Sequence, residues 1–171
     1  MRVAVNISPS QFLRQDMFAL VEQTLNETGL PADLLELELI ESTLLDDRPA
    51  TANALKALSS RGVRFSIDDF GIGYASLSYF KRVTISRIKI DRSYIQHFPA
   101  SREDEAIVSS AVALGRTLHI PVLAEGIETV QELSAVRQVG CDEAQGFYFS
   151  KPLSPDRVLS VMYEHNAEWC A

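Results

Sequence analysis

The stretch Val63-Arg64-Phe65-Ser66-Ile67-Asp68-Asp69-Phe70-Gly71-Ile72-Gly73-Tyr74 alternates apolar and polar side chains, reaches two adjacent aspartates and runs into a glycine-bearing loop. Alternation with a period of two is the pattern of a strand with one apolar face. Other stretches repeat it. Val3, Val5 and Ile7 alternate with Ala4, Asn6 and Ser8; Leu35, Leu37 and Leu39 with Glu36 and Glu38; Ile88 and Ile90 with Arg87, Lys89 and Asp91. With two later runs, the strand-like segments end on Asn6, Glu38, Asp68, Lys89, Glu125 and Gln145. Strand ends recurring along the chain are how an α/β sheet gathers distant residues at one mouth.

The pattern predicts strands at Val3–Ser8, Leu34–Ile40, Val63–Asp68, Arg87–Asp91, Pro121–Glu125 and Glu143–Ser150, the last including its exit loop. Between them fall helical spacings. Asp16–Gly29 has Phe18, Val21 and Leu25 on one side, with Gly29 to end it. Further helices are expected from about Arg48 to Ser60, around Ser76–Lys81, from Ser101 to about Leu118, and over Val130–Gln138 and Pro155–Glu164. Ser10 is read as capping a short turn. Ser101, followed by Glu103, Asp104 and Glu105, reads as a capped, solvated helix start. Asp46-Asp47 reads as a cap or turn.

Strands alternating with helices imply a parallel sheet. A doubly wound sheet is apolar on both faces, whereas these strands carry one polar face. The better match is a TIM-type (β/α) barrel whose polar face lines the lumen. Such a barrel typically takes about 250 residues, and each βαβ unit about 30. The 171 residues offer about six units and open on a strand. The expectation is therefore an incomplete barrel, a single domain over residues 1–171, whose open edge a second chain or exchanged element covers.

Composition excludes several classes. The chain is 46% hydrophobic with net charge −7, and no Lys/Arg cluster suggests polymeric nucleic acid as a partner. Cys141 and Cys170 lack metal-type spacing and read as reduced thiols. No apolar run is long enough to span a bilayer, so cytoplasmic residence is the default. His97, His119 and His165 lie off the strand-end pattern and read as structural.

Asn6, Glu38, Asp68, Asp69 and Glu125 would converge on one mouth. Two carboxylates about 4 Å apart repel by about 4 kcal/mol at an effective dielectric of 20. Such a group calls for protons or cations, and all-oxygen donors suit Mg²⁺, Mn²⁺ or Ca²⁺. Adjacent aspartates allow one carboxylate to bridge two ions, and a two-metal site suits in-line displacement at phosphorus. Lys89 adds a donor for a phosphate oxygen or an attacking water.

Six segments carry a family resemblance: Val5-Asn6-Ile7-Ser8, Glu38-Leu39-Ile40-Glu41, Asp68-Asp69-Phe70-Gly71, Ile88-Lys89-Ile90-Asp91-Arg92, Ala124-Glu125-Gly126-Ile127-Glu128-Thr129 and Gln145-Gly146-Phe147-Tyr148-Phe149-Ser150-Lys151-Pro152-Leu153. From residue 3 to about 160 the chain resembles the EAL-domain phosphodiesterases, which linearise cyclic di-GMP to pGpG. The resemblance implies that Asn6, Glu38 and Asp68 ligate one Mg²⁺ or Mn²⁺, and that Asp68, Asp69 and Glu125 serve a second, with Ca²⁺ substituting or inhibiting. It implies that Lys89 acts on the nucleophilic water, that Glu125 orients it, and that Glu128 and Gln145 support them. Glu41 would hold the loop after Asp69, which the family uses for metal binding and homodimer contacts. An upstream sensor or diguanylate cyclase domain is a family habit.

The chain departs from the family pattern at Ile40 and Ile72, and it has no Glu-Ala-Leu signature on a first strand. Glu105-Ala106-Ile107 looks similar but falls at a helix start. The expectation is thus the C-terminal two-thirds of an EAL domain with impaired hydrolysis. The alternatives are an inactive cyclic di-GMP receptor and a protein-interaction module.

Overall fold

Six parallel strands lie side by side in chain order: β1 (Val3–Ile7), β2 (Leu35–Ile40), β3 (Arg64–Phe70), β4 (Ile85–Ile90), β5 (Val122–Ala124) and β6 (Glu143–Ala144). The computed structural model describes residues 2–46, 48–72, 77–158 and 160, excepting the side chains of Leu13, Leu77 and Tyr79. Each strand pairs with the next, and the order never reverses. A doubly wound sheet would reverse direction at a switch point. This sheet winds one way only and is an incomplete TIM-type (β/α) barrel.

The connecting helices start and stop for local reasons. α1 (Pro9–Arg14) begins at Ser8 rather than Ser10, with the Gln11 side chain accepting from the Ser8 N–H at 2.8 Å. In α2 (Met17–Thr28) the Asp16 carboxylate accepts from the Ala19 N–H, and Gly29 closes the helix at φ 68°. Its buried residues are Met17, Val21 and Leu25, while Phe18, expected on that side, is exposed. α3 (Glu41–Leu44) follows β2 directly, and α4 (Pro49–Ser60) starts on a proline. Asp46 serves the turn before it, accepting from the Arg48 N–H and Thr51 Oγ1; Asp47 lies outside the described residues. α5 (Arg92–Ile95) follows β4, and α6 (Arg102–Leu118) is capped by Ser101 as expected. α7 (Val130–Val139) starts in a Thr129–Glu132 capping box and ends at Gly140. Residues 155–158 and 160 are helical; the rest of the expected Pro155–Glu164 helix lies outside the described residues.

The apolar strand faces and the helices share one core. Leu37, Leu39, Phe65, Ile67, Ile88 and Ile90 meet Val21, Leu25, Leu55, Leu58, Val108 and Val112. β1 is the exception. Val3 and Val5 remain 40% exposed, and only Ile7 is buried. An edge strand lacks a neighbour on one side, so its alternation is not enough to bury it. β6 is shorter than the expected Glu143–Ser150, because the chain turns away at Gly146, where a Cβ would strike the Ile127 backbone.

Gly115 sets how closely α6 approaches β5. A Cβ there would lie 2.4 Å from Val122 Cγ2 and 2.7 Å from the Ile120 carbonyl oxygen. Gly115→Ala is expected to destabilise the fold by about 1–3 kcal/mol, because the backbone must shift. Urea denaturation measures this, and an unchanged midpoint would contradict it.

Candidate functional site: a carboxylate cluster around a buried lysine

Successive residues of a regular strand point to opposite faces, so Asp68 and Asp69 would ordinarily diverge. The β3–β4 register shows why they do not. Ile67 pairs with Ile88 and Phe70 with Ile90, so β3 carries one extra residue across the aspartate pair. Asp69 adopts φ 55°, a left-handed conformation that Asp tolerates better than most residues. A bulge of this kind re-aims a side chain, and here it keeps Asp69 beside Asp68 at the sheet mouth. A second irregularity gives β4 an extra residue near Ser86, whose Oγ donates to the Phe65 carbonyl at 2.9 Å.

Lys89 occupies the centre of the mouth and is 3% exposed. Its Nζ lies 2.6 Å from Glu38 Oε2, 2.9 Å from Asp68 Oδ1 and 2.8 Å from Glu125 Oε1. β2, β3 and the end of β5 thus each present a carboxylate to one ammonium on β4. Burial works against that charge, but hydrogen bonds to Glu125, Glu38 and Asp68 outweigh it and hold the Lys89 pKa above its usual range. Gln145 donates from Nε2 to the same Glu125 oxygen at 2.5 Å.

One ammonium does not balance this group. Asp68, Asp69 and Glu125 each offer an oxygen within 4.8 Å of the others, and Glu38 adjoins them through Lys89. Asp69 is pushed up first by burial, then by the charges of Asp68 and Asp91. Glu125 is pushed up by burial, against the pull of Lys89. Asn6 completes the fit. Its amide meets Glu38 Oε2 and Asp68 Oδ2, both at 3.0 Å. With nitrogen inward it donates to both. With oxygen inward, three oxygens converge without a proton, an arrangement a cation satisfies. The donors are all oxygen, as hard divalent cations prefer.

The family model described as "EAL domain" matches residues 1–152. The chain belongs to the EAL domain family. It is 42% identical over 153 residues to NbdA, a cyclic di-GMP phosphodiesterase of Pseudomonas aeruginosa, covering 90% of this chain and 20% of NbdA. The solved structure of the MucR phosphodiesterase from the same organism, in complex with c-di-GMP, superposes with a TM-score of 0.85 at 41% identity. That match covers 92% of this chain and 64% of the MucR chain. BlrP1 of Klebsiella pneumoniae, solved with manganese and cyclic di-GMP, superposes with a TM-score of 0.79 at 34% identity, over 88% of this chain and 39% of BlrP1. The chain spans about a fifth of the length of the curated relatives it matches.

Of the EAL residues singled out in the sequence, Asn6, Glu38, Asp68, Asp69, Lys89, Glu125 and Gln145 meet in this cluster. Glu128 lies beside it, exposed, in a cleft shared with Arg92, Gln145 and Lys151. Glu41 is buried at the start of α3. Gly73 and Tyr74 of the loop, with His165 and Cys170, lie outside the described residues. His97 approaches Asp104 at 3.9 Å, away from the cluster. Burial raises the Cys141 thiol to about 11, which leaves it protonated and inert. No helix among the described residues is long and apolar enough to cross a membrane.

The EAL lumen also holds a lower charged layer that strand-end reasoning overlooked. Glu36, fully buried, accepts from Arg87 at 3.0 Å, and Arg87 Nε lies 2.8 Å from Glu143. Each stands two residues before a site residue: Glu36 before Glu38, Arg87 before Lys89, Glu143 before Gln145. The two-residue period carried the signal, since all three share the lumen face.

Removing the central ammonium leaves three carboxylates facing one another. Lys89→Met is expected to destabilise the metal-free EAL chain by about 3–5 kcal/mol at neutral pH, with partial recovery in Mn²⁺. Arg87→Met is expected to destabilise it without that recovery, because Glu36 and Glu143 sit below the converging oxygens of Asp68, Asp69 and Glu125. Urea titrations with and without Mn²⁺ separate the two, and equal recovery would refute the layering.

Proposed function

We propose that this chain is the C-terminal two-thirds of one EAL domain and hydrolyses cyclic di-GMP to linear pGpG at a two-cation site, with hydrolysis impaired because the Glu-Ala-Leu strand is not among its residues. The observation that carries this reading is the convergence of Glu38, Asp68, Asp69 and Glu125 around a single ammonium. In this assignment Asn6, Glu38 and Asp68 hold one ion, and Asp68, Asp69 and Glu125 hold the other, Asp68 being shared. Mg²⁺ or Mn²⁺ would supply charge neutralisation at the phosphodiester and a nucleophilic water at neutral pH.

The chain's own residues do the rest. Lys89 stays protonated, so it acts as a fixed donor to the attacking water or a phosphate oxygen rather than as a base. Glu125 takes both of its donors, Lys89 and Gln145, on Oε1, which leaves Oε2 for a cation and for orienting water. Gln145 thereby positions Glu125, and Glu128 lines the approach beside them. Glu41 supports the turn after Asp69. Ca²⁺, which favours longer bonds and more ligands, would bind and inhibit. A homodimer, and a sensor or diguanylate cyclase domain elsewhere in the protein, go with this reading; MucR is described as a bifunctional diguanylate cyclase and phosphodiesterase.

A second reading is a receptor that binds cyclic di-GMP without cleaving it. It is favoured by the openness of the Asn6 side, where β1 is exposed. One experiment decides. Cyclic di-GMP is incubated with the chain and Mn²⁺ or Mg²⁺, and products are separated by chromatography. The enzyme reading expects pGpG, lost at least 100-fold in Asp68→Ala and abolished by EDTA. Calorimetric binding without product would establish the receptor. Product that survives Asp68→Ala would sink the two-cation assignment.

A further inference from the structure

The position of Asp69 depends on a turn whose geometry the strand alone does not maintain. Asp69 has φ 55°, and Gly71, two residues on, has φ 99°. The Ile72 N–H donates back to the Asp69 carbonyl at 3.2 Å, closing the turn on itself. Two positive-φ residues with only Phe70 between them need an external hold to remain a single conformation.

That hold comes from α5. The Tyr94 hydroxyl donates to the Gly71 carbonyl oxygen at 2.8 Å, and its ring lies against Gly71. A Cβ at Gly71 would come within 3.0 Å of Ile107 Cγ2 and 3.3 Å of Tyr94 Cε2. The turn is therefore pressed between α5 and α6 and tied to α5 by one hydrogen bond. α5 is itself firmly placed. It begins at Arg92, with only Asp91 between it and the end of β4, and the Asp91 carboxylate caps it, accepting from the Ser93 N–H at 2.9 Å and the Ser93 hydroxyl at 2.5 Å. Burial, then the charges of Asp91, Asp104 and Glu41, keep the phenol protonated, so it remains a donor.

We propose that Tyr94 is a positioning residue for the cation site: its hydroxyl latches the turn after the β3 bulge and so holds the Asp69 carboxylate beside Asp68 and Glu125. The latch links the strand that carries Lys89 to the turn that carries Asp69. The inference rests on the cation-site assignment above and adds a residue outside it.

Tyr94→Phe tests this, because it keeps the ring against Gly71 and removes only the hydroxyl. In the metal-free protein, hydrogen exchange at the Ile72 amide is expected to accelerate about fivefold to tenfold, the loss of one hydrogen bond. Mn²⁺ affinity, read by calorimetry, is expected to fall about tenfold, as when other residues supporting a ligand are removed. A merely structural role would lower the melting temperature and leave Mn²⁺ affinity unchanged, and that result overturns the proposal. Unchanged Ile72 exchange overturns the latch itself. Absence of Mn²⁺ binding to the unmutated chain would instead overturn the cation-site reading, and the exchange measurement would still judge the latch.

Discussion

A single ammonium, Lys89 Nζ, is ion-paired with carboxylates from β2, β3 and the end of β5. Without it, three like charges would face one another in a confined space and strain the strands at their mouth. With it, they are drawn to within hydrogen-bonding distance of one point. The site is therefore organised before any ligand arrives. Under the proposed function, an entering divalent cation would meet oxygens already converged, and repulsion that Lys89 leaves uncompensated would favour its entry. Burial, above all, holds Asp69 and Glu125 above the ordinary carboxylate range, with the neighbouring charges of Asp68 and Asp91 adding to the shift of Asp69.

The lumen is built in two storeys. Glu36, Arg87 and Glu143 neutralise one another below, and the catalytic candidates stand above them on the same strands. A buried ion pair is weak evidence for stability, since desolvation offsets much of its attraction. Its use here is geometric. Arg87 ties β2, β4 and β6 together one step beneath Glu38, Lys89 and Gln145, so the upper residues inherit a set spacing. The helices contribute differently: α6 and α5 clamp the turn that leaves β3, and close approach at Gly115 and Gly71 makes that clamp tight.

Much of this was legible from the chain. Alternation along β2, β3 and β4 revealed strands with one polar face, and the polar residues at their ends were the ones the fold brings together. Where reading failed, the cause was tertiary. Val3 and Val5 have the pattern of core residues yet stay exposed, because β1 has a neighbour on one side only. Phe18 has helical spacing toward the core, but rotation of α2 selects Met17 instead. Glu36 and Arg87 were visible on the polar face, but nothing local indicates that they meet each other or Glu143.

By itself, the sequence determined the order of strands and helices, the polar face and the oxygen-donor chemistry, because side-chain period and composition are local properties. That Asp69 joins Asp68 was expected from the chain, but only tertiary structure supplies the means. A strict strand would send it to the opposite face, and only the pairing of β3 with β4 shows the extra residue that turns it back. Tertiary structure also decided that Lys89 is shared among three carboxylates and that Tyr94 reaches Gly71. Those contacts join residues up to 51 positions apart, a relation that depends on how strands and helices pack and that no local pattern encodes.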